Sequence, residues 1–235
     1  MVSFRGLGCR GKRCLHPTRV FESTLTFSFF MNLLLRSFHP FLLFAATCLG
    51  AFEKPNLVVF ISDDLGRFDT SIHGSKDART PTMERLAAEG ITFDDAYVAS
   101  PSCCPSRFSL LTGLMPARHG AHPNHSKVKP GTRFLPPILK KMGYHIASFG
   151  KIAHGNKKFE GLDFNQPKRT DMCVEVEKYF KKNKIDGPIC LLVGDRRPHV
   201  EWTKEMNFDP KKVTLPSFFV DTKETREHWA RYLTD

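Results

Sequence analysis

Three short apolar runs, each broken off by polar or charged residues, constrain the fold of this chain more than any other feature. Asn56-Leu57-Val58-Val59-Phe60-Ile61 ends at Ser62-Asp63-Asp64, Tyr144 to Phe149 ends at Gly150-Lys151, and Ile189 to Val193 ends at Gly194-Asp195. Nearly continuous, β-branched runs of this length suit strands buried on both faces of a parallel sheet. The segments between them carry helix signals. Thr80 as N-cap and Pro81 at the first helical position introduce a helix with Met83, Leu86 and Ala87 on one face, stopped by Gly90. Phe134 to Met142, ended by Gly143, and a stretch near Cys173 to Lys182 read as two more. Ile91 to Val98 reads as a further strand and Gly155 to Thr170 as an ordered loop. Strands alternating with helices imply an α/β domain with a mostly parallel sheet flanked by helices. In such sheets ligands bind at the carboxyl ends of the strands. Three candidate clusters fall there: Asp63 with Asp64, Lys151 with His154, and His199.

The length of 235 residues suits one globular domain. The formal charge of +11 is uneven: residues 1–51 hold six Lys/Arg against the single acid Glu22, leaving 29 basic and 23 acidic residues, or +6, for the rest. A modest positive excess suits an anionic ligand and equally suits a solvated basic surface. No aromatic-interleaved basic stripe, helix-turn-helix pattern or zinc-finger spacing is present, which argues against nucleic acid as a partner. Residues 1–51 read as an N-terminal extension and signal peptide, with the natural start at Met31. Arg36 and His39 form its polar region, Phe41 to Ala46 its apolar region, and the small residues around Cys48, Gly50 and Ala51 its cleavage site. The apolar run is too short for a stable membrane span. Export implies a secreted or periplasmic protein, lysosomal in a eukaryote, in which a Cys173–Cys190 disulfide is possible but not specified.

The segment Cys103-Cys104-Pro105-Ser106-Arg107-Phe108-Ser109-Leu110-Leu111-Thr112-Gly113 carries the chemistry. Pro105 can open a helix whose free N–H groups and positive end attract an anion, and Arg107 adds a planar donor fork suited to tetrahedral oxyanions. The segment matches C-x-P-S-R-x-x-L-L-T-G at all eight fixed positions, and on it the chain resembles the type I sulfatases. A second segment, Gly143-Tyr144 through Gly150-Lys151 to His154, follows G-Y-x-x-x-x-x-G-K-x-x-H of the same family. Arg197-Pro198-His199 resembles its D/K-P-H element. Leu215-Pro216 through Asp221 to Tyr232 looks like sulfamidase and iduronate-sulfatase-like members, with Asp221 and Glu224 expected as a capping box.

The resemblance implies an alkaline-phosphatase-like sulfatase domain over 52–235. Cys103, whose proline lies two places on, would be oxidised to formylglycine by a maturation enzyme, while Cys104 packs. Asp63, Asp64 and the converted Cys103 would hold Ca²⁺, with Mg²⁺ the second choice. Arg107 and Lys151 would bind sulfate, His154 would bond the formylglycine, and His199 would serve the leaving group. The substrate would be a sulfate ester or sulfamate of a sulfated carbohydrate. His119, His122 and His125 read as a pocket rim. Relatives continue past Asp235 with further calcium ligands, so the resemblance also implies a C-terminally incomplete domain that is a poor catalyst. Two alternatives remain open: a phosphonate or phosphate-ester hydrolase of the same superfamily, and an inactive remnant that only binds sulfated glycans.

Overall fold

A computed structural model describes residues 53–153, 160–168 and 170–235. Four strands, β1 (Leu57–Ile61), β2 (His145–Gly150), β3 (Phe164–Gln166) and β4 (Ile189–Gly194), form one sheet in the order β1-β4-β2-β3. All three pairings are parallel. The helices are α1 (Pro81–Glu89), α2 (Cys103–Thr112), α3 (Pro116–His119), α4 (Leu135–Lys141), α5 (Met172–Lys182) and α6 (Lys223–Thr234).

Side chains of a strand alternate between faces, and the two cores follow that period. On one face Ile146, Cys190 and Leu192, joined by Leu57, Val59 and Ile61, meet Cys104, Phe108 and Leu111 of α2 and Leu139 of α4. On the other, Ala147, Phe149, Leu191 and Val193 meet Met172 and Tyr179 of α5. Every residue of β4 is buried, as a central strand requires.

Several expectations are corrected. β1 is covered on one face only: Val58 and Phe60 remain 66% and 56% exposed, because α5 packs against β2 and no described element covers this side of β1. The apolar stripe of α1 likewise buries no residue. Its N-cap Thr80 makes no cap hydrogen bond, since its hydroxyl accepts from the Ser71 amide at 3.0 Å and pairs with the Ser71 hydroxyl at 2.6 Å. Ile91 to Val98 forms no strand: Ile91, Phe93 and Tyr97 stand out at 81%, 74% and 89% exposure, and no described strand pairs with the segment. The stretch expected as a loop contains β3, paired to β2 from Ala147–Phe164 to Phe149–Gln166. The cap of α6 is Thr222, which accepts from the Thr225 amide at 3.1 Å, because the guanidinium of Arg226 takes both oxygens of Asp221 at 2.5 and 2.6 Å. Cys103, Cys104, Cys173 and Cys190 are all free thiols, so the possible Cys173–Cys190 bridge is not formed. The expected leader, residues 1–51, lies outside the described residues.

Candidate active site

The carboxyl ends of β1, β4 and β2 lie side by side, and those of β4 and β2 open into a cavity of about 780 Å³. Their closeness depends on glycine. Gly150 sits at φ +67, and a Cβ there would collide with the Gly194 carbonyl and the Met172 sulfur, while a Cβ on Gly194 would collide with the Lys151 carbonyl. The Lys151 amide donates to Gly194 O at 2.8 Å, and its side chain reaches Asp63 and Cys103.

Asp63 leaves the end of β1 with 3% exposure, its amide donating to Arg197 O at 3.2 Å. Its carboxylate gathers two cations. Arg107 Nη2 donates to Oδ1 at 2.8 Å, and Lys151 Nζ donates to Oδ2. Arg107 is itself 95% buried, and its Nη1 donates to the Lys151 carbonyl. Burial pushes the Asp63 carboxyl up, yet the hydrogen bonds and charges of Lys151 and Arg107 outweigh it and hold the group below the usual carboxylate range. Asp64 follows in the left-handed region at φ 63. Its carboxylate lies half exposed, 3.6 Å from His199 Nε2.

Helix α2 begins at Cys103, two residues earlier than a proline-opened helix would, so Pro105 is its third residue. Cys103 thus occupies the first helical position with its thiol toward the site: Sγ lies 3.7 Å from Asp63 Oδ1 and 3.4 Å from Lys151 Nζ. Cys104 points the other way into the core, fully buried, with its thiol donating to Ser126 O at 3.4 Å. The N-cap Ser102 makes no side-chain cap, and Asn124 Oδ1 accepts from the Cys104 amide at 3.2 Å instead. Nothing in the sequence pattern singled out Asn124. An uncapped helix start needing an acceptor from elsewhere in the chain is the only signal that could have.

His199 lies in the turn after β4, reached through a cis Arg197–Pro198 bond. Asp63, Cys103 and His199 each present one donor atom, all within 4.8 Å of one another. Together, then, the structure gathers Asp63, Cys103, Arg107, Lys151 and His199, with Asp64 beside His199. His154 lies outside the described residues.

Of the three histidines expected at a pocket rim, His119 departs from that expectation. His119 is fully buried: its Nδ1 accepts from the Ala121 amide at 3.1 Å, so in the neutral ring Nε2 carries the proton and donates to Ser109 Oγ at 3.1 Å. Burial pushes its pKa down, with the Pro105 carbonyl opposing, which keeps it a neutral brace beneath α2. His125, at φ 64, does line the cavity.

Fold and site together define a parallel α/β domain of the alkaline-phosphatase-like kind. Its solved likenesses include a protein in complex with its substrate D-glucosamine-2-N,6-O-disulfate, at TM-score 0.58 and 25% identity over 64% of this chain and 36% of that one. A phosphonate monoester hydrolase from Silicibacter pomeroyi shares the fold at TM-score 0.60 and 16% identity, over 77% of this chain and 56% of that one. The sulfatase family model matches residues 55–216, and the chain belongs to the sulfatase family. It is 28% identical to an ulvan-active sulfatase of Formosa agariphila over 63% of this chain and 31% of that protein. It is 34% identical to the human N-acetylgalactosamine-6-sulfatase over 46% of this chain and 23% of that one. The chain thus matches about a quarter to a third of the length of these relatives.

Proposed function

We propose that this chain carries the nucleophile half of a secreted sulfatase acting on sulfated carbohydrates, with Cys103 as the precursor of a formylglycine and Asp63 and Asp64 as calcium ligands. The observation that carries the reading is the convergence of the Cys103 thiol, the Arg107–Asp63 pair and the Lys151 ammonium at the strand ends, with Cys103 and Lys151 lining the cavity.

The donor chemistry fits the proposed groups. Asp63 is a buried carboxylate whose charge already draws two cations, as a metal-ligating carboxylate does. With Cys103 a thiol, the nearby donors are mixed, O, S and N, which suits a hard ion poorly. With Cys103 converted, its side chain presents oxygen, and together with Asp63 and Asp64 the set becomes the kind Ca²⁺ or Mg²⁺ takes. The ion would neutralise sulfate oxygens, and the hydrated formylglycine would supply the attacking hydroxyl.

The chain's own residues do the rest. The α2 N-terminus places position 103 where helix N–H groups and dipole favour an anion. Lys151, 3.4 Å from Cys103 Sγ, sets a cation where a sulfate on that residue would sit. Arg107 donates from Nη2 to Asp63 and from Nη1 to the Lys151 carbonyl, which fixes the carboxylate and the lysine together and leaves further N–H donors of the guanidinium for sulfate. His199 Nε2 faces the cavity from the β4 side, placed to give a proton to a departing oxygen or nitrogen.

Peptide mass spectrometry after co-expression with a formylglycine-generating enzyme tests the reading, together with release of sulfate and phosphate from paired aryl esters by the full-length gene product. Conversion at Cys103 with sulfate release is expected. Conversion at Cys104, no conversion, or faster phosphate release overturns it.

A further inference from the structure

Cys103 and Cys104 open helix α2, and the helix cannot satisfy its own opening amides. Pro105 follows them and supplies no N–H. The first rung of the helix ladder is therefore the bond from the Ser106 amide to Ser102 O at 3.1 Å, and the Cys103 and Cys104 amides lie before it. Ser102, at the N-cap, makes no side-chain cap. What holds the start of α2, and with it the direction of the Cys103 side chain, must come from elsewhere in the chain.

The turn over residues 123–126 supplies it. The turn closes on itself, with Ser126 Oγ donating to Pro123 O at 2.6 Å and the Ser126 amide donating to the same carbonyl at 3.4 Å. Two of its groups grip Cys104. Asn124 Oδ1 accepts from the Cys104 amide at 3.2 Å, and Ser126 O accepts from the Cys104 thiol at 3.4 Å. Asn124 Oδ1 also accepts from the His125 amide at 3.2 Å, with His125 in the left-handed region at φ 64. Two amide donors on one oxygen settle which way the carboxamide faces: the oxygen is toward α2, and the Nδ2 donors have no partner among the described residues. Asn124 lines the cavity together with Cys103 and His125. Successive side chains on a helix are rotated by about 100°. Holding the amide and the fully buried thiol of residue 104 therefore sets the rotation of the first turn, which directs Cys103 Sγ to within 3.4 Å of Lys151 Nζ.

We propose that Asn124 is a positioning residue for the nucleophile at position 103: its Oδ1 clamps the start of α2 through Cys104, and its neutral carboxamide forms the cavity wall beside the reacting group. The inference rests on the sulfatase reading and adds to it a residue that lies outside both sequence motifs. The two parts of the role separate chemically. The clamp needs only an acceptor oxygen, which aspartate also has, whereas the wall needs a group without negative charge, because the substrate it faces is an anion.

The test compares Asn124→Ala and Asn124→Asp with the native sequence in the full-length gene product. Hydrogen exchange at the Cys104 amide is read by NMR before maturation. After maturation, kcat and KM for an aryl sulfate are measured per mole of formylglycine at position 103, counted by peptide mass spectrometry so that immature protein does not enter. In Asn124→Ala the Cys104 amide should exchange about fivefold faster, as for a lost helix cap. Its kcat should fall about tenfold with KM near the native value, because a displaced nucleophile slows the chemical step. Asn124→Asp keeps the acceptor, so amide protection and kcat should stay within about threefold of native. Its KM should rise about fivefold, the worth of one partly exposed charge contact of the wrong sign. Native exchange at Cys104 in Asn124→Ala, native kcat in that variant, or an equal loss of kcat in both variants overturns the proposal. No sulfate release by the native enzyme, with the exchange pattern still as expected, would sink the sulfatase reading and leave the clamp on α2 standing.

Discussion

Arg107 and Asp63 are the residues on which the site depends most. Both are at least 95% buried, and each is the other's charge partner. Removing Arg107 leaves the buried Asp63 carboxylate with Lys151 alone and empties a buried space, at a cost of up to about 3–5 kcal/mol. Arg107→Ala should therefore lower stability by about that much in denaturant unfolding, independently of any effect on activity. Arg107→Lys should recover little of it, because a lysine cannot bridge Asp63 and the Lys151 carbonyl at once. Lys151 differs, since its side chain is partly exposed and Asp63 keeps Arg107 without it. In the full-length enzyme Lys151→Ala should fold normally and lose about 2–4 kcal/mol of transition-state stabilisation in kcat/KM, by analogy with removing one preorganised donor. Unchanged kcat/KM would take Lys151 out of the sulfate site.

At the level of elements, the close approach of β2 and β4 positions Lys151, and Gly194 permits it. Gly194→Ala would drive a methyl group into the Lys151 backbone, so thermal stability and kcat/KM should both fall. The helix α6 is joined to the loop after Asp64 through Tyr232, whose hydroxyl donates to Asp69 Oδ2 at 2.7 Å and accepts from the Gly66 amide at 3.2 Å. Burial, then the Asp69 carboxylate, pushes that phenol's pKa well up, so it stays a neutral donor. Tyr232→Phe should cost about 1–3 kcal/mol for the unsatisfied partners left behind. Thermal unfolding of the purified variant checks this, and a Tm equal to the native value would show that the α6 contact adds nothing.

Two properties belong to the whole molecule. The first is its response to acid. Asp163 receives the Ile146 amide at 2.8 Å and the Lys140 ammonium. Burial pushes its carboxyl up, but Lys140, Ile146 and His145 outweigh that and hold it low. A carboxyl depressed in the folded state adds stability that is present above the unfolded value of about 3.9 and is lost as pH falls through the lower folded value. Between pH 5 and 3 the native protein should therefore lose stability more steeply than Asp163→Asn, a slope difference read by urea unfolding at each pH. The second is metal linkage. If Ca²⁺ binds the folded state only, calcium at a hundred times its Kd should add about 2.7 kcal/mol. Asp63→Asn should remove that increment, and a native protein indifferent to calcium would count against the proposed ligands.

By itself the sequence determined the local elements and their order. The three runs ending at Asp63, Lys151 and Asp195 became parallel strands because continuous β-branched hydrophobicity has few other uses at that length, and short polar ends mark where such strands stop. The register of Cys103 against Cys104 was legible for a similar reason: Pro105 and Arg107 have fixed offsets from it. Tertiary structure decided what depends on neighbours. Whether Val58 and Phe60 are buried depends on which helix lies over β1, and no local pattern carries that information. Capping of α6 passed from Asp221 to Thr222 because Arg226 competes for the same carboxylate, and Ile91 to Val98 stayed irregular because a strand needs a partner as well as a propensity. Above all, no local pattern announced that the Arg107 fork also reaches Asp63 and the Lys151 carbonyl. The carboxylate lies 44 residues away in the chain, and only the fold brings it within 2.8 Å of the guanidinium.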